Sequence, residues 1–142
     1  MIIIGERINS TRKPITAALE ARDEEHILRE AHHQWDAGSA YLDVNTAMMR
    51  KNEPELMTWA IELIQGEIPE VLIAIDSANP AAVEAGFEAH KGRPLLNSIN
   101  GERQRMDHLI PLIREHKPRV IGLTINDEGI KTETNVTGLV RN

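Results

Sequence analysis

The chain has 142 residues, a formal net charge of −6 and no cysteine. This length is that of one ordinary domain and is sufficient to bury a hydrophobic core. The lack of cysteine excludes disulfides, thiolate nucleophiles and cysteine-ligated metal clusters. The acidic balance, and an aromatic content of two Trp, one Tyr and one Phe, argue against nucleic-acid binding. Because no apolar run could span a membrane and the start MIIIGER lacks the features of a signal peptide, we expect a cytoplasmic protein without a membrane partner.

Short apolar segments alternate with longer amphipathic segments along the chain. The short segments predict five β-strands, over residues 2–4, 40–44, 71–75, 95–98 and 120–125. The longer segments predict four helices, over residues 23–37, 54–65, 80–92 and 102–116. This alternation predicts one α/β domain, residues 1–142, with a parallel sheet and right-handed crossovers. Residues 127–142 are predicted to be a loop or tail.

Polar residues with short side chains end or follow all five predicted strands. The carboxyl ends of parallel strands lie at the same edge of a sheet, where ligands bind in α/β folds. One polar strand end is usually a turn or a helix cap, which is our interpretation of Asn79 and Asn100. The repetition at five strands favours a binding site. Its candidate residues are Glu6, Asp43, Asn45, Asp76, Asn97 and Ser98.

The chemistry of these residues narrows the class of ligand. Arg7 is the only basic residue among the strand ends and no glycine-rich loop is present, so a phosphorylated ligand is disfavoured. Carboxylates and amide oxygens favour a neutral polar heterocycle as ligand, because they can accept hydrogen bonds from its N–H groups. A carboxylate-bound divalent metal is the alternative, but the six histidines lie in predicted helices or loops and do not support it.

Nucleophilic catalysis is disfavoured by the placement of the hydroxyl groups. Ser77 and Ser98 lie at strand ends, but no histidine is placed to act as their base. Ser10 and Thr11 are interpreted as loop or cap residues.

The segments IIIGERIN, LDVN, IAIDSAN, LLNSINGER and IGLTIN resemble, in order and spacing, the methyltetrahydrofolate:corrinoid methyltransferases. The resemblance extends from residue 1 to about residue 130 and includes, as kin, the folate domain of cobalamin-dependent methionine synthase. It implies the fold class of the (β/α)8 TIM barrels, here as a truncated partial barrel of about five parallel strands and four helices. It also implies that Asp76 and Asn97 hydrogen-bond a pterin ring, with Asp43, Asn45, Glu6 and Ser98 as further pterin-binding residues.

The resemblance implies a reaction as well. Enzymes of this family move a methyl group between N5 of tetrahydrofolate and the cobalt of a corrinoid on a separate protein. Methyltetrahydrofolate would be the substrate, and cobalamin would be carried by a partner, since the chain lacks the Asp-x-His-x-x-Gly cobalamin signature. A non-catalytic pterin-binding or structural half-barrel is the alternative, and a dihydropteroate synthase-like enzyme is a weaker one.

A complete barrel of this type needs roughly 250 residues. The family's second pterin-contacting aspartate, on the sixth strand, and its N5-contacting asparagine, on the seventh, would lie beyond Asn142. We therefore assign no catalytic residue and no metal ligand. The first and fifth strands would be open edges, so we expect a homo-oligomer or a complementing chain.

Overall fold

The computed structural model describes residues 1–130. Five parallel strands form one sheet in the order β1-β2-β3-β4-β5, and a short antiparallel strand, β6, follows β5. The strands are β1 Ile4–Asn9, β2 Tyr41–Asn45, β3 Leu72–Asp76, β4 Leu95–Gly101, β5 Arg119–Asn126 and β6 Gly129–Ile130. Neighbours in sequence are neighbours in the sheet, as in the first part of a β/α barrel. The predicted α/β class and its five parallel strands are confirmed.

Helices follow the first four strands. They are α1 Lys13–Ala21, α2 Glu24–Asp36, α3 Glu53–Glu67, α4 Pro80–Ala89 and α5 Arg103–His116, with a 3₁₀ helix over Ala47–Asn52. The four predicted helices correspond to α2–α5. As expected, Asp23 caps α2, where its side chain accepts a hydrogen bond from the backbone N–H of His26 at 3.0 Å.

Helix α1 was not predicted, so the predicted number of helices was too low by one. It buries Ile15, Ala18 and Leu19 at helical spacing. It is only nine residues long, and Arg12, which precedes it, makes no capping hydrogen bond through its side chain. The start signal that marks α2 is therefore missing here, and tertiary packing of a small apolar stripe stabilises the helix.

Strand β1 lies further along the chain than predicted. We expected residues 2–4, but pairing with β2 extends from Ile4, beside Tyr41, to Asn9, beside Asn45. Glu6 and Arg7 are exposed, whereas Ile8 is completely buried. Glu6 and Arg7 interrupt the apolar pattern from which a strand is predicted. Pairing with β2 nevertheless extends β1 through them to Asn9.

The predicted tail begins differently from the expectation. β6 pairs with Ile125 and Asn126 in an antiparallel turn, so residues 129–130 continue the sheet. The rest of the predicted tail, residues 131–142, lies outside the described residues.

The two faces of the sheet have different surroundings because successive side chains of a strand point to opposite sides. One face packs against the helices and carries the main core, including Leu42, Val44, Ile73, Ile75 and Leu96. The opposite face carries a smaller apolar cluster of Tyr41, Ala74 and Leu95, with Ile4, Leu72 and Ile121 beside it. We call this second surface the inner face. Within residues 1–130, no helix combines the length and apolar character needed to cross a membrane.

Candidate functional site

Four of the predicted site residues lie together on the inner face, at the carboxyl ends of β2, β3 and β4. Asp43 and Asn45 are two residues apart on β2 and therefore share a face. Asp43 lies beside Ala74 of β3, and Asp76 lies beside Asn97 of β4. The sheet register thus places these four side chains next to one another, above the apolar cluster of the inner face.

The carboxylate of Asp43 is the most buried group of the site. Its residue is 1% exposed, and its Oδ2 accepts a hydrogen bond from Nδ2 of Asn97 at 2.8 Å. Burial raises the pKa of Asp43 to about 7. The hydrogen bond from Asn97 opposes this rise, and the negative charges of Asp76 and Glu6 add to it. Near neutral pH, Asp43 can therefore hold or release a proton.

The amide of Asn45 is fixed in orientation by three hydrogen bonds. Its Oδ1 accepts from Oγ of Ser10 at 2.8 Å and from the backbone N–H of Ala47 at 3.1 Å. Its Nδ2 is thereby directed to Asp76, where it donates to Oδ2 at 2.9 Å. The order of contacts Ser10–Asn45–Asp76 thus defines which atoms of the amide face the carboxylate.

Ser10 was interpreted as a loop or cap residue, and it does lie in the turn after β1, but its contact with Asn45 was not predicted. It is completely buried, and its Oγ also accepts the backbone N–H of Met48 at 3.1 Å. The signal that could have found it is its position: Ser10 directly follows β1 once this strand extends to Asn9.

The site leaves oxygen atoms available to a ligand. The second carboxylate oxygens of Asp43 and Asp76, and Oδ1 of Asn97, have no hydrogen-bond partner within residues 1–130. The amide nitrogens of Asn45 and Asn97 each donate one of their two N–H groups inside the network. When Asp43 is ionised, a ligand placed against these oxygens is therefore expected to donate hydrogen bonds to them.

The remaining two predicted site residues contribute differently. Glu6 is exposed, makes no hydrogen bond to the other site residues in the described part of the chain, and acts on Asp43 through its charge. Ser98 accepts a hydrogen bond through its backbone carbonyl from Nε of Arg105 at 3.1 Å. No side-chain hydrogen bond joins Ser98 to the four central residues in the range 1–130.

Arg7, the basic residue at the end of the first strand, is engaged by helix α2. Its Nε donates to Oε2 of Glu30 at 2.7 Å, and its Nη2 donates to Oε1 of the same carboxylate at 3.2 Å. This bidentate hydrogen bond holds the pKa of Glu30 below its usual value. Among residues 1–130, no group of three or more His, Asp or Glu side chains is arranged to hold a metal ion.

Two further charged residues that the sequence did not single out reach the loop after β3. Glu53, from α3, accepts from Oγ of Ser77 at 2.5 Å, and Arg105, from α5, donates to the Ser77 carbonyl at 3.1 Å. Each lies in a helix, distant in sequence from the strand end that it contacts. No local pattern distinguishes such residues from other charged helix residues.

Comparison with known proteins gives the family of the chain. A model of the family described as pterin binding enzyme matches residues 5–141. The chain is 35% identical over 132 residues to a methylcorrinoid:tetrahydrofolate methyltransferase of Eubacterium limosum, covering 92% of this chain and 48% of that protein. It is 29% identical over 136 residues to a methionine synthase of Mycobacterium tuberculosis, covering 91% of this chain and 11% of that protein. The chain thus spans about half the length of the first relative. Because this family model matches residues 5–141, the chain belongs to the pterin binding enzyme family.

Proposed function

We propose that this chain forms the pterin-binding part of a methyltransferase that moves a methyl group between N5 of methyltetrahydrofolate and the cobalt of a corrinoid protein. One observation carries this proposal: the open oxygens of Asp43, Asp76 and Asn97 lie together, and they accept hydrogen bonds when Asp43 is ionised. The names of the relatives support the reaction class, since one couples a methylcorrinoid with tetrahydrofolate.

The acceptor set fits one edge of a reduced pterin. That edge presents a 2-amino group and a ring N–H, which are donors. An ionised carboxylate such as Asp76 can accept from two adjacent N–H groups, and these charge-assisted hydrogen bonds are about twice as strong as neutral ones. Oδ1 of Asn97, beside Asp76 in the sheet register, provides a further acceptor for the same ligand.

The contribution of the site to methyl transfer is positioning and electrostatics. N5 must gain positive character, by protonation or hydrogen bonding, before its methyl group can leave. The site holds one group, Asp43, whose pKa of about 7 lets it keep a proton near neutrality. Such a site acts by orienting the substrate and by stabilising charge as it develops.

The corrinoid belongs to a partner protein in this proposal, and a further contact between protein chains is proposed for the sheet. Exposed apolar side chains lie before β1 and on β5, namely Ile2, Ile3, Val120 and Leu123. A second copy or a complementing chain would cover them. Sedimentation at micromolar concentration should show an assembly larger than the monomer, and a homogeneous monomer would contradict this part of the proposal.

A pair of ligands tests the acceptor edge directly. We expect saturable calorimetric binding of methyltetrahydrofolate and about five-fold or more weaker binding of its analogue lacking the 2-amino group, since about 1–3 kcal/mol is the usual cost of leaving buried polar groups unpaired. Equal affinity for both compounds would mean that the 2-amino group does not contact Asp43, Asp76 or Asn97. An absence of binding by the folded chain would overturn the proposed function of these residues.

A further inference from the structure

The loop after β3, residues 77–79, is held from one side by a buried carboxylate. Glu53 is the first residue of α3 and is 5% exposed. Its Oε1 accepts from Oγ of Ser77 at 2.5 Å and its Oε2 accepts from Nδ2 of Asn79 at 3.2 Å. Both carboxylate oxygens are therefore used on two residues of one loop. Oγ of Ser77 also accepts the backbone N–H of Asn79 at 2.9 Å, which closes the loop on itself.

The same loop is held from the other side by a guanidinium. Arg105, on α5, donates to the carbonyl of Ser77 at 3.1 Å and to that of Ala78 at 3.3 Å. It also donates twice to the carbonyl of Ser98, at 2.5 and 3.1 Å. Within residues 1–130 Arg105 forms no ion pair, so its planar fork is used on main-chain carbonyls.

The carbonyls that Arg105 contacts belong to residues next to the candidate site residues in the chain. Ser77 directly follows Asp76, and Ser98 directly follows Asn97. Asp76 and Asn97 lie side by side in the register of β3 and β4. One guanidinium therefore joins the two strand ends at the residues immediately after the two central site residues, and Glu53 fixes the first of these ends from the opposite side.

We propose that Glu53 and Arg105 are positioning residues that jointly hold Asp76 and Asn97 in the geometry in which they bind the pterin. This inference rests on the proposed function. Neither residue contributes to the acceptor set: Arg105 acts through backbone carbonyls of the strand ends, and Glu53 acts through the side chains of Ser77 and Asn79. Ligand-binding groups need support of this kind, since displacements near 1 Å are enough to lose most of their contribution.

A conservative substitution tests the guanidinium. Arg105→Lys keeps the charge, but a single ammonium group lacks the planar fork that reaches both strand ends. Arg114→Lys is the matched control, because Arg114 is exposed on the same helix. The measurements are the affinity for methyltetrahydrofolate, the thermal midpoint, and the side-chain amide NMR signals of Asn45 and Asn97. These amides donate to Asp76 and Asp43 and report on the site without any ligand.

A second variant tests the carboxylate. Glu53→Gln keeps the volume and the acceptor for Ser77, but it replaces the acceptor for Asn79 with an amide that can only donate. Glu62→Gln, at an exposed position of the same helix, is its control.

We expect both variants to shift the amide signals of Asn45 and Asn97 and to weaken methyltetrahydrofolate binding by about ten-fold or more, while both controls behave as wild type. Wild-type amide signals in the folded variants would overturn the inference, even if the thermal midpoint falls, because the residues would then serve stability alone. If the wild-type chain does not bind methyltetrahydrofolate, the proposed function fails, whereas the amide signals still decide whether Glu53 and Arg105 position the site.

Discussion

Asn97 donates a hydrogen bond to Asp43 at 2.8 Å although the two residues lie on β4 and β2, which are not neighbours in the sheet. The contact passes over β3, where the residue beside Asp43 is Ala74. In β/α barrels, alternate strands contribute side chains to the same interior layer. The contact between Asp43 and Asn97 follows this rule and joins three strands into one site.

The titration of Asp43 is the first prediction. We expect its carboxyl group to titrate with a pKa of about 7, and we expect Asn97→Ala to move this pKa upward, since the hydrogen bond from Asn97 favours the ionised form. Carboxyl ¹³C NMR as a function of pH measures both values. A wild-type pKa near the ordinary 3.8 of an aspartate would contradict the burial that we describe.

The same shift predicts how stability changes with pH. Between about pH 4 and pH 7 the folded chain holds the Asp43 proton and the unfolded chain has released it, so the free energy of unfolding falls as pH rises through this range and levels off above it. At about 1.4 kcal/mol per pKa unit, the difference is on the order of 4 kcal/mol. Urea unfolding at pH 5 and at pH 8 measures the fall in the free energy of unfolding between these two pH values, and Asp43→Asn should remove it. The exposed substitution Asp36→Asn, as control, should keep it.

The small side chain of Ala74 is predicted to be required. Ala74 is completely buried beside Asp43, and a larger residue would occupy the space between Asp43 and Asn97. We expect Ala74→Val to lower the free energy of unfolding by about 1–3 kcal/mol through overpacking. It should also move the pKa of Asp43 upward by weakening the contact with Asn97. Urea unfolding and carboxyl NMR measure the two effects, and an unchanged pKa would show that the contact does not depend on Ala74.

Ser10 is predicted to orient the amide of Asn45. Ser10→Ala removes one donor to Oδ1 of Asn45 and the acceptor for the backbone N–H of Met48. Leaving buried polar groups without partners costs about 1–3 kcal/mol, which urea unfolding should show together with a shifted NMR signal of the Asn45 amide. Thr58→Ala, on α3, is the control. Unchanged stability and an unchanged Asn45 signal would mean that Ala47 alone fixes this amide.

His90 is predicted to make the chain sensitive to acid. Its Nε2 accepts the backbone N–H of Ile73 at 3.0 Å, and burial lowers the pKa of the imidazole. Below about pH 6.5, the ordinary pKa of histidine, the unfolded chain takes up a proton that the folded chain resists. The contribution of His90 is therefore present above this pH and is lost as pH falls.

Urea unfolding of wild type and His90→Gln between pH 5 and pH 7.5 isolates this effect, since all other groups are common to both proteins. The difference in free energy of unfolding between the two should shrink as pH falls. A difference that stays constant with pH would show that His90 does not resist protonation in the folded chain.

The sequence predicted the fold class and the clustering of polar strand-end residues because both depend on patterns that survive folding. Apolar segments of strand length marked β2 to β5, and the polar residues at their ends marked Asp43, Asn45, Asp76 and Asn97. What the sequence did not predict depends on contacts between distant segments. The extension of β1 to Asn9 is decided by its register with β2, and Ser10 enters the site only as a result of that extension.

Glu53 and Arg105 illustrate the same limit. Each resembles any other charged residue of an amphipathic helix, and only the packing of α3 and α5 against the loop after β3 gives them a role. Helix α1 lacked a side-chain cap and was too short for a strong helical pattern. Sequence patterns therefore indicate where polar strand ends cluster, whereas the helix residues that contact the neighbouring loop are found only in the structure.

The most direct test of the central claim is a calorimetric titration of the chain with methyltetrahydrofolate, run beside Asp76→Ala and the exposed control Asp107→Ala. We expect saturable binding by wild type and by the control, and binding weaker by about 1–3 kcal/mol for Asp76→Ala, because the proposed site uses the Asp76 carboxylate to accept hydrogen bonds from the pterin. Equal affinity of all three proteins, or no binding by the folded wild-type chain, would contradict the assignment of this strand-end cluster as a pterin site.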